Sequence, residues 1–374
     1  MRSRRWTVLV FLVVLSVSSG AYCADYDQVL NDAKELAKAG NRAAAAGLCE
    51  RAAGLSTDEG AEWLRGYALM WRDATKDAIT QFLKVANTFA ASPHAPDALL
   101  QAANLKNDAG EDAGADWERL VRDYPGTKEA VEGLHRLGHY ALRQGDPELA
   151  ATRFEQSAAL REVDSDMAEE SQVELGYAYI SQYWKTLDAK RLSKALKALD
   201  PVTRSTNPER VIRAHIGRGE AFLRLGLPDP AARGYRVVLD LHPEEPYYRR
   251  IALFELACCE HENGKWSAAI TAFDAFLADV PGSTLTEKDR HWKQARPDYA
   301  RLIATNPAKA NALSCLELVR EAVFWKATAV LKSGHPLDAK AIADDLTTRF
   351  PNLRVADKVA ELKTACDTAI GEGK

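Results

Sequence analysis

Several things are scarce in this 374-residue sequence, and each scarcity excludes something. Glycine and proline number only 22 and 15, which argues against a collagen-like or low-complexity chain. Six cysteines are too few for a dense disulfide scaffold. Neither sign of charge is in large excess, with 49 basic against 53 acidic residues and a net charge of −4. A general nucleic-acid binder would be basic. Beyond the N-terminal stretch, no apolar run approaches the ~20 residues that a membrane-spanning helix needs. What remains is 47% apolar and 27% charged, the proportions of a soluble globular protein rather than a disordered one. Segments rich in alanine and leucine and laced with charge lean towards helix. Length alone allows one large domain or two to three small ones, at roughly 100–200 residues each.

The N-terminus reads as an address. Arg2, Arg4 and Arg5 precede an apolar run from Val8 to Leu15, and small residues follow at Ser16, Ser18, Ser19, Gly20 and Ala21. Basic, apolar and small regions in that order make a secretory signal peptide over residues 1–24, cleaved after Cys23 or Ala24. Its removal takes away three arginines and no acids, so the charge goes from −4 to −7. The expected location is the periplasm or cell envelope. A lipid anchor on Cys23 would add outer-membrane association, but Tyr22 stands where the bacterial lipoprotein box has a small residue. Cys49, Cys258, Cys259, Cys315 and Cys366 remain. Being odd in number, they cannot all pair within one chain. They fall in helical patterns, so buried thiols are expected, and a Cys315–Cys366 bridge is open.

A repeat runs through the rest. Gly226, Ala231, Tyr235 and Pro243 share one spacing with Gly264, Ala269, Phe273 and Pro281, and with Gly334, Ala339, Ala343 and Pro351. The glycines are 38 and then 70 residues apart, the second gap being about two periods of a stacked helical repeat. The glycine ends one helix in a left-handed conformation. The alanine lets the second helix approach closely, the aromatic fills the space between pairs, and the proline stops the second helix. Weaker copies hold Gly40, Ala45 and Cys49; Leu64, Gly66, Tyr67, Ala78 and Phe82; Ala113, Trp117 and Leu120; Gly138, Gly145, Ala150 and Phe154; and Leu175, Gly176 and Tyr179.

The runs "LHRLGHYALRQGDPELAATRFEQS" and "LFELACCEHENGKWSAAITAFDAFLADVP" resemble the tetratricopeptide repeat family. The resemblance implies an all-α, right-handed α-solenoid of antiparallel helix pairs over residues 25–369, about seven pairs by the repeat period. The clearest copies are 128–160, 212–243, 250–281 and 320–351. Residues 161–207 and 284–319 are irregular, a last helix is expected near 353–369, and 370–374 form a tail. Copies ending "YPGT" and "VPGS" are similar to exported envelope proteins of Gram-negative bacteria, of the kinds found in outer-membrane assembly and beside the Tol–Pal machinery. The resemblance further implies that the first helix of each pair lines a concave, peptide-binding face. The residues carried onto it are His135, His139 and Arg143; Arg213, Glu220 and Arg224; Phe254, Cys258 and His261; and Phe324 and Lys332. Exposed aromatics beside arginines would suit a segment with acidic groups.

No catalytic signature stands beside the repeat. HExxH, GxSxG, P-loop and GxGxxG patterns are missing, and no cofactor is expected. Cys258 and His261 are one helical turn apart, but two ligands fall short of the three or four that zinc needs. His135 and His139 share a helix face without a third ligand and read as solvated. Carboxylate neighbours such as Glu244 with Glu245 and Asp344 with Asp345 point in different directions on a helix and read as surface. Tyr247, Tyr248, Arg249 and Arg250 read as a helix start rather than a nucleic-acid platform. The expected function is therefore a non-catalytic scaffold binding other envelope proteins or peptides. The alternatives are a polymer-secretion scaffold and a glycan-active enzyme on a helical superhelix, which converging acids in the groove would favour. The repeat itself is testable by thermal melting: Ala269→Leu should overpack its pair and cost about 1–3 kcal/mol, and an unchanged melting temperature would contradict the assignment.

Overall fold

A computed structural model describes residues 25–241, 246–280, 316–350 and 356–372. The signal peptide with Cys23, the second-helix stops Pro243, Pro281 and Pro351, Glu244 and Glu245, Cys315, and nearly all of segment 284–319 lie outside the described residues. Within them the chain is all helix, in two compact units divided between Leu120 and Val121.

The first unit holds α1 (Tyr26–Lys38), α2 (Arg42–Ala53), α3 (Glu59–Trp71), α4 (Thr75–Thr88), α5 (Ala95–Asp108) and the start of α6 (Gly114–Asp123). The second holds α7 (Lys128–Arg143), α8 (Pro147–Ala159), α9 (Ser165–Thr186), α10 (Ala189–Leu199), α11 (Pro208–Arg224), α12 (Pro228–Asp240), α13 (Pro246–Glu262) and α14 (Trp266–Asp279). It continues with α15 (Leu316–Lys332), α16 (Pro336–Arg349) and α17 (Ala356–Gly371). A short 3-10 turn, Pro201–Arg204, follows α10, so the second helix of the 161–207 segment stops just before Pro201.

The turns explain the glycine spacing. Gly40, Gly145, Gly226, Gly264 and Gly334 all have φ between +69° and +88°. At each, the residue after the glycine donates its N–H five residues back: Asp146 to Ala141 O and Lys265 to Glu260 O, both at 2.9 Å. The glycine N–H donates three residues back, as in Gly145 to Leu142 O at 3.0 Å. This pair of hydrogen bonds satisfies the last carbonyls of the first helix. The next helix starts immediately, and Asn41 and Asp146 cap it with their own carboxamide and carboxylate oxygens. Leu187 takes the left-handed position after α9 without being glycine, at φ 56°, and Asp73 does so after α3.

A second set of glycines acts by having no side chain. A Cβ on Gly66, Gly138 or Gly219 would stand 2.5 Å from the ring of Phe82, Phe154 or Tyr235, and one on Gly176 would stand 2.4 Å from Leu199. Each is a first-helix glycine that admits the large residue of its second helix. The alanines one turn earlier, Ala78, Ala150, Ala231 and Ala269, are completely buried, as the repeat spacing predicts. Cys49, Cys259 and Cys366 are buried free thiols and Cys258 is a half-buried one.

The two glycine roles are separable by experiment. Gly145→Ala meets no atom but is strained by its positive φ, so it should cost about 1–2 kcal/mol in denaturant unfolding. Gly138→Ala should cost about 1–3 kcal/mol by collision with Phe154. In a Phe154→Ala background the Gly138→Ala penalty should vanish and the Gly145→Ala penalty persist. Equal penalties for Gly138→Ala in both backgrounds would refute the packing role.

Candidate functional site: a mixed groove on the first helices

In the second unit α7 touches α9, α9 touches α11, α11 touches α13 and α13 touches α15. The first helices of successive pairs therefore lie side by side, and their inward stripes adjoin. A groove of about 570 Å³ runs along three of them. Glu174 and Tyr177 line it from α9; Arg213, Ile216, Glu220 and Arg224 from α11; and Tyr247, Tyr248, Ile251, Phe254 and Glu255 from α13. Tyr235 and Leu318 close it.

The lining follows helical spacing. Glu170, Glu174 and Tyr177 are four and three residues apart. Arg213, Ile216, Glu220 and Arg224 are separated by three, four and four, and Tyr248, Ile251 and Glu255 by three and four. Such spacing puts each set on one face.

Four carboxylates on α9 meet two arginines on α11. Arg210 donates to Asp166 at 2.7 Å, to Glu169 at 3.1 Å and to Glu170 at 3.0 Å. Arg213 pairs with Glu170 and Glu174. Burial pushes the Glu170 carboxyl up, but the guanidiniums of Arg213 and Arg210 outweigh it and hold the carboxyl below its usual range. Tyr177 donates its hydroxyl to Arg213 O at 2.9 Å, and burial keeps it protonated. These contacts correct an expectation. Arg213 is neutralised within the fold and is not free to meet an acidic partner.

Arg224 differs. Its guanidinium lies 4.7 Å over the ring of Trp184, whose Nε1 donates to Glu220 Oε1 at 3.0 Å. Glu255 has no hydrogen bond or ion pair among the described residues. Burial first, then Glu220, Glu321 and Glu262, outweigh the pull of Arg224 and push its carboxyl up to about 7.

Phe254 is a second correction. It is 5% exposed and packs on Phe273 and Phe276 at 6.3 and 5.5 Å between ring centres, so it is mainly a core residue with one edge on the groove. The exposed aromatic in the groove lining is Tyr247, at 62%, where packing at a helix start was expected. The neighbouring Arg249 and Arg250 both grip Asp279, which removes them from any platform.

The other expected residues sit outside this groove. Arg143 lies 5.7 Å from the Tyr140 ring. His261 stands between Trp266 and Trp325, each 5.1 Å away, and Phe324 packs on Trp325. Burial and the nearby Lys332 depress the His261 pKa. Among the described residues no set of three or more ligating side chains could hold a metal ion. Burial pushes the Cys49 and Cys259 thiols up to about 12.

His135 is only 8% exposed and belongs to a directed chain of hydrogen bonds, not to a solvated face. Ser157 donates to Val131 O at 3.0 Å, so it accepts from Ser171 at 2.8 Å. Ser171 then accepts from His135 Nδ1 at 2.9 Å, and His135 Nε2 accepts from His139 Nε2 at 3.1 Å. This direction is that of a neutral His135 with its proton on Nδ1. Burial and then His139 depress its pKa to about 3. Nothing in the sequence pattern signalled the two serines. The first unit holds a comparable clamp: Asp97 accepts from Trp63 Nε1 at 2.6 Å, Tyr67 hydroxyl at 2.8 Å and Gln101 Nε2 at 3.2 Å.

Residues 251–283 match the family model for the tetratricopeptide repeat. The fold is that of tetratricopeptide repeat proteins. The chain is similar to the C-terminal part of a repeat-containing protein of this kind from Cytophaga hutchinsonii, at 14% identity and a TM-score of 0.52, covering 79% of this chain and 98% of that one. It is also similar to the apo form of RapI, at 11% identity and a TM-score of 0.52, covering 93% and 99%. These likenesses are of fold. No curated protein matches by sequence. The tetratricopeptide fold supports a protein–protein interaction scaffold in general, and no helix among the described residues is long and apolar enough to cross a membrane.

The histidines make stability fall with acid. His135, His139, His215 and His261 all have folded pKa values below the ordinary 6.5. The unfolded chain therefore binds more protons below that pH, and stability present above it is lost as pH drops. His135 alone should lower unfolding free energy by about 2 kcal/mol between about pH 7.5 and pH 5. Urea unfolding of His135→Gln should show a shallower loss over that range. An unchanged slope would refute the buried neutral assignment.

Proposed function

We propose that this protein is a non-catalytic scaffold of the bacterial cell envelope. It is exported by its N-terminal 24 residues and holds other envelope proteins or peptides in the α9–α11–α13 groove. The observation that carries the binding reading is the juxtaposition of an aliphatic and aromatic wall with a pre-oriented guanidinium. Ile216, Ile251, Tyr247 and Tyr248 supply apolar area, and Trp184 fixes Arg224 before any partner arrives. Fixed anchors lower the ordering cost of binding. Export rests on the basic, apolar and small-residue order of residues 1–24.

One observation favours a second reading. Glu255, held up to about 7, has the protonation behaviour of a general acid, and acids do converge on the groove. Acid–base work on a glycan also needs a free, ionised carboxylate across the cleft. Glu174 is tied to Arg213 and Glu220 accepts from Trp184, which supports binding over catalysis.

A photo-crosslinking residue at Tyr247, used in the source cells, should trap a protein partner in the envelope fraction. The same residue at Leu55, exposed in the first unit, should not. Tyr248→Ala with Ile251→Ala should abolish the adduct, and the purified protein should begin at Ala24 or Asp25. Retention of saccharides alone, with no protein trapped, would overturn the scaffold reading.

A further inference from the structure

The charges around the groove divide into those already paired and those left over. Arg210 and Arg213 are taken up by the α9 carboxylates. Among the described residues, Glu220, Glu255, Glu262 and Glu321 have no ion pair, and Arg224 has none either. Glu220 and Glu255 line the groove beside Ile216, Ile251 and Leu318, and Glu262 and Glu321 act on Glu255 from outside that lining, against the one guanidinium of Arg224. An acidic partner would add a further negative charge to this excess. A basic one would neutralise it where the excess is most costly, at the largely desolvated Glu255.

We propose that the α9–α11–α13 groove takes a partner segment presenting a lysine or arginine among apolar residues, with the cation seated on Glu255. This rests on reading the groove as a docking site, and it reverses the acidic partner that the arginines suggest in sequence. The groups facing Glu255 are Arg224 and Glu220 from α11, Glu321 from α15, Tyr235 from α12, and Cys258, Cys259 and Glu262 from its own helix. From α14 the rings of Phe273 and Phe276 cover the base of the neighbouring Phe254. Arg224 is therefore the sole cation in this set, and it is already drawn over Trp184. Seating a second cation lets Glu255 ionise and release its proton.

The test uses a displayed library of random dodecapeptides selected on the full chain, followed by fluorescence anisotropy of the enriched peptides. Enriched peptides should carry lysine or arginine beside aliphatic or aromatic residues. Replacing that basic residue by glutamine, or making Glu255→Gln, should weaken binding by about tenfold or more. Wild-type binding should weaken about tenfold from about pH 8 to about pH 6, as Glu255 takes up its proton. That dependence should flatten in Glu255→Gln, and the wild-type pH dependence alone serves as the readout if the variant is poorly folded. Peptides rich in aspartate or glutamate that are lost in Tyr248→Ala would overturn this inference and leave the docking site standing. So would basic peptides that bind Glu255→Gln unchanged. Selected peptides indifferent to Tyr248→Ala and Ile251→Ala alike would overturn both.

Discussion

Four of the described helix pairs depend on one close approach, between a first-helix glycine and the large side chain of the helix that follows. At Gly66, Gly138, Gly176 and Gly219 the missing Cβ is replaced by Phe82, Phe154, Leu199 and Tyr235. No helix pair can bury its apolar stripe alone, so each unit gains stability from neighbouring pairs in sequence. The knob in the glycine gap sets how near the two helices stand. The first helices of adjacent pairs adjoin, as α9, α11 and α13 do, and α13 carries the fully buried Ala257 where α11 carries Gly219. Tyr235 fills the Gly219 gap and also closes the groove.

Side-by-side first helices bring charges from different repeats together, and the fold sorts them unevenly. On α9 and α11 the sorting is nearly complete, with Arg210 and Arg213 each bound to two or more carboxylates. Burying such charges is costly unless they are paired, so their main service is to fix the relation of the two helices. At Glu255 the sorting stops. Glu255 is burdened by its burial and by Glu220, Glu321 and Glu262, with only Arg224 in opposition. A site whose electrostatics are unfinished in the free protein is one that a partner completes.

The helix pairs were legible in sequence because each has a local cause. A glycine takes positive φ, an alanine faces the partner helix, and an aromatic follows one turn later. The spacing placed Ala150 and Phe154, Ala231 and Tyr235, and Ala269 and Phe273 in the core, where they lie. Residues of the groove were legible only in part. Arg213, Glu220 and Arg224 follow from the family resemblance, which assigns the first helix of each pair to the concave face. Glu170 and Glu174 were missed because pairing across 39 to 43 residues leaves no mark in either helix alone. Phe254 was misplaced for the same reason: the rings that bury it come from α14. His135 was read as solvated because Ser157 and Ser171, which receive its chain of bonds, belong to two other helices. Periodicity reports which face a residue occupies, and the partner across the interface reports what that residue can do.

The central claim is that the free groove holds a largely buried carboxyl with no ion-pair partner among the described residues. Carbon-13 NMR titration of the Glu255 side-chain carboxyl in the unliganded protein tests it most directly. The account predicts a midpoint of about 7. A midpoint at the ordinary glutamate value of about 4.3 would contradict it, because the groove would then either be open to water or already supply the missing positive charge.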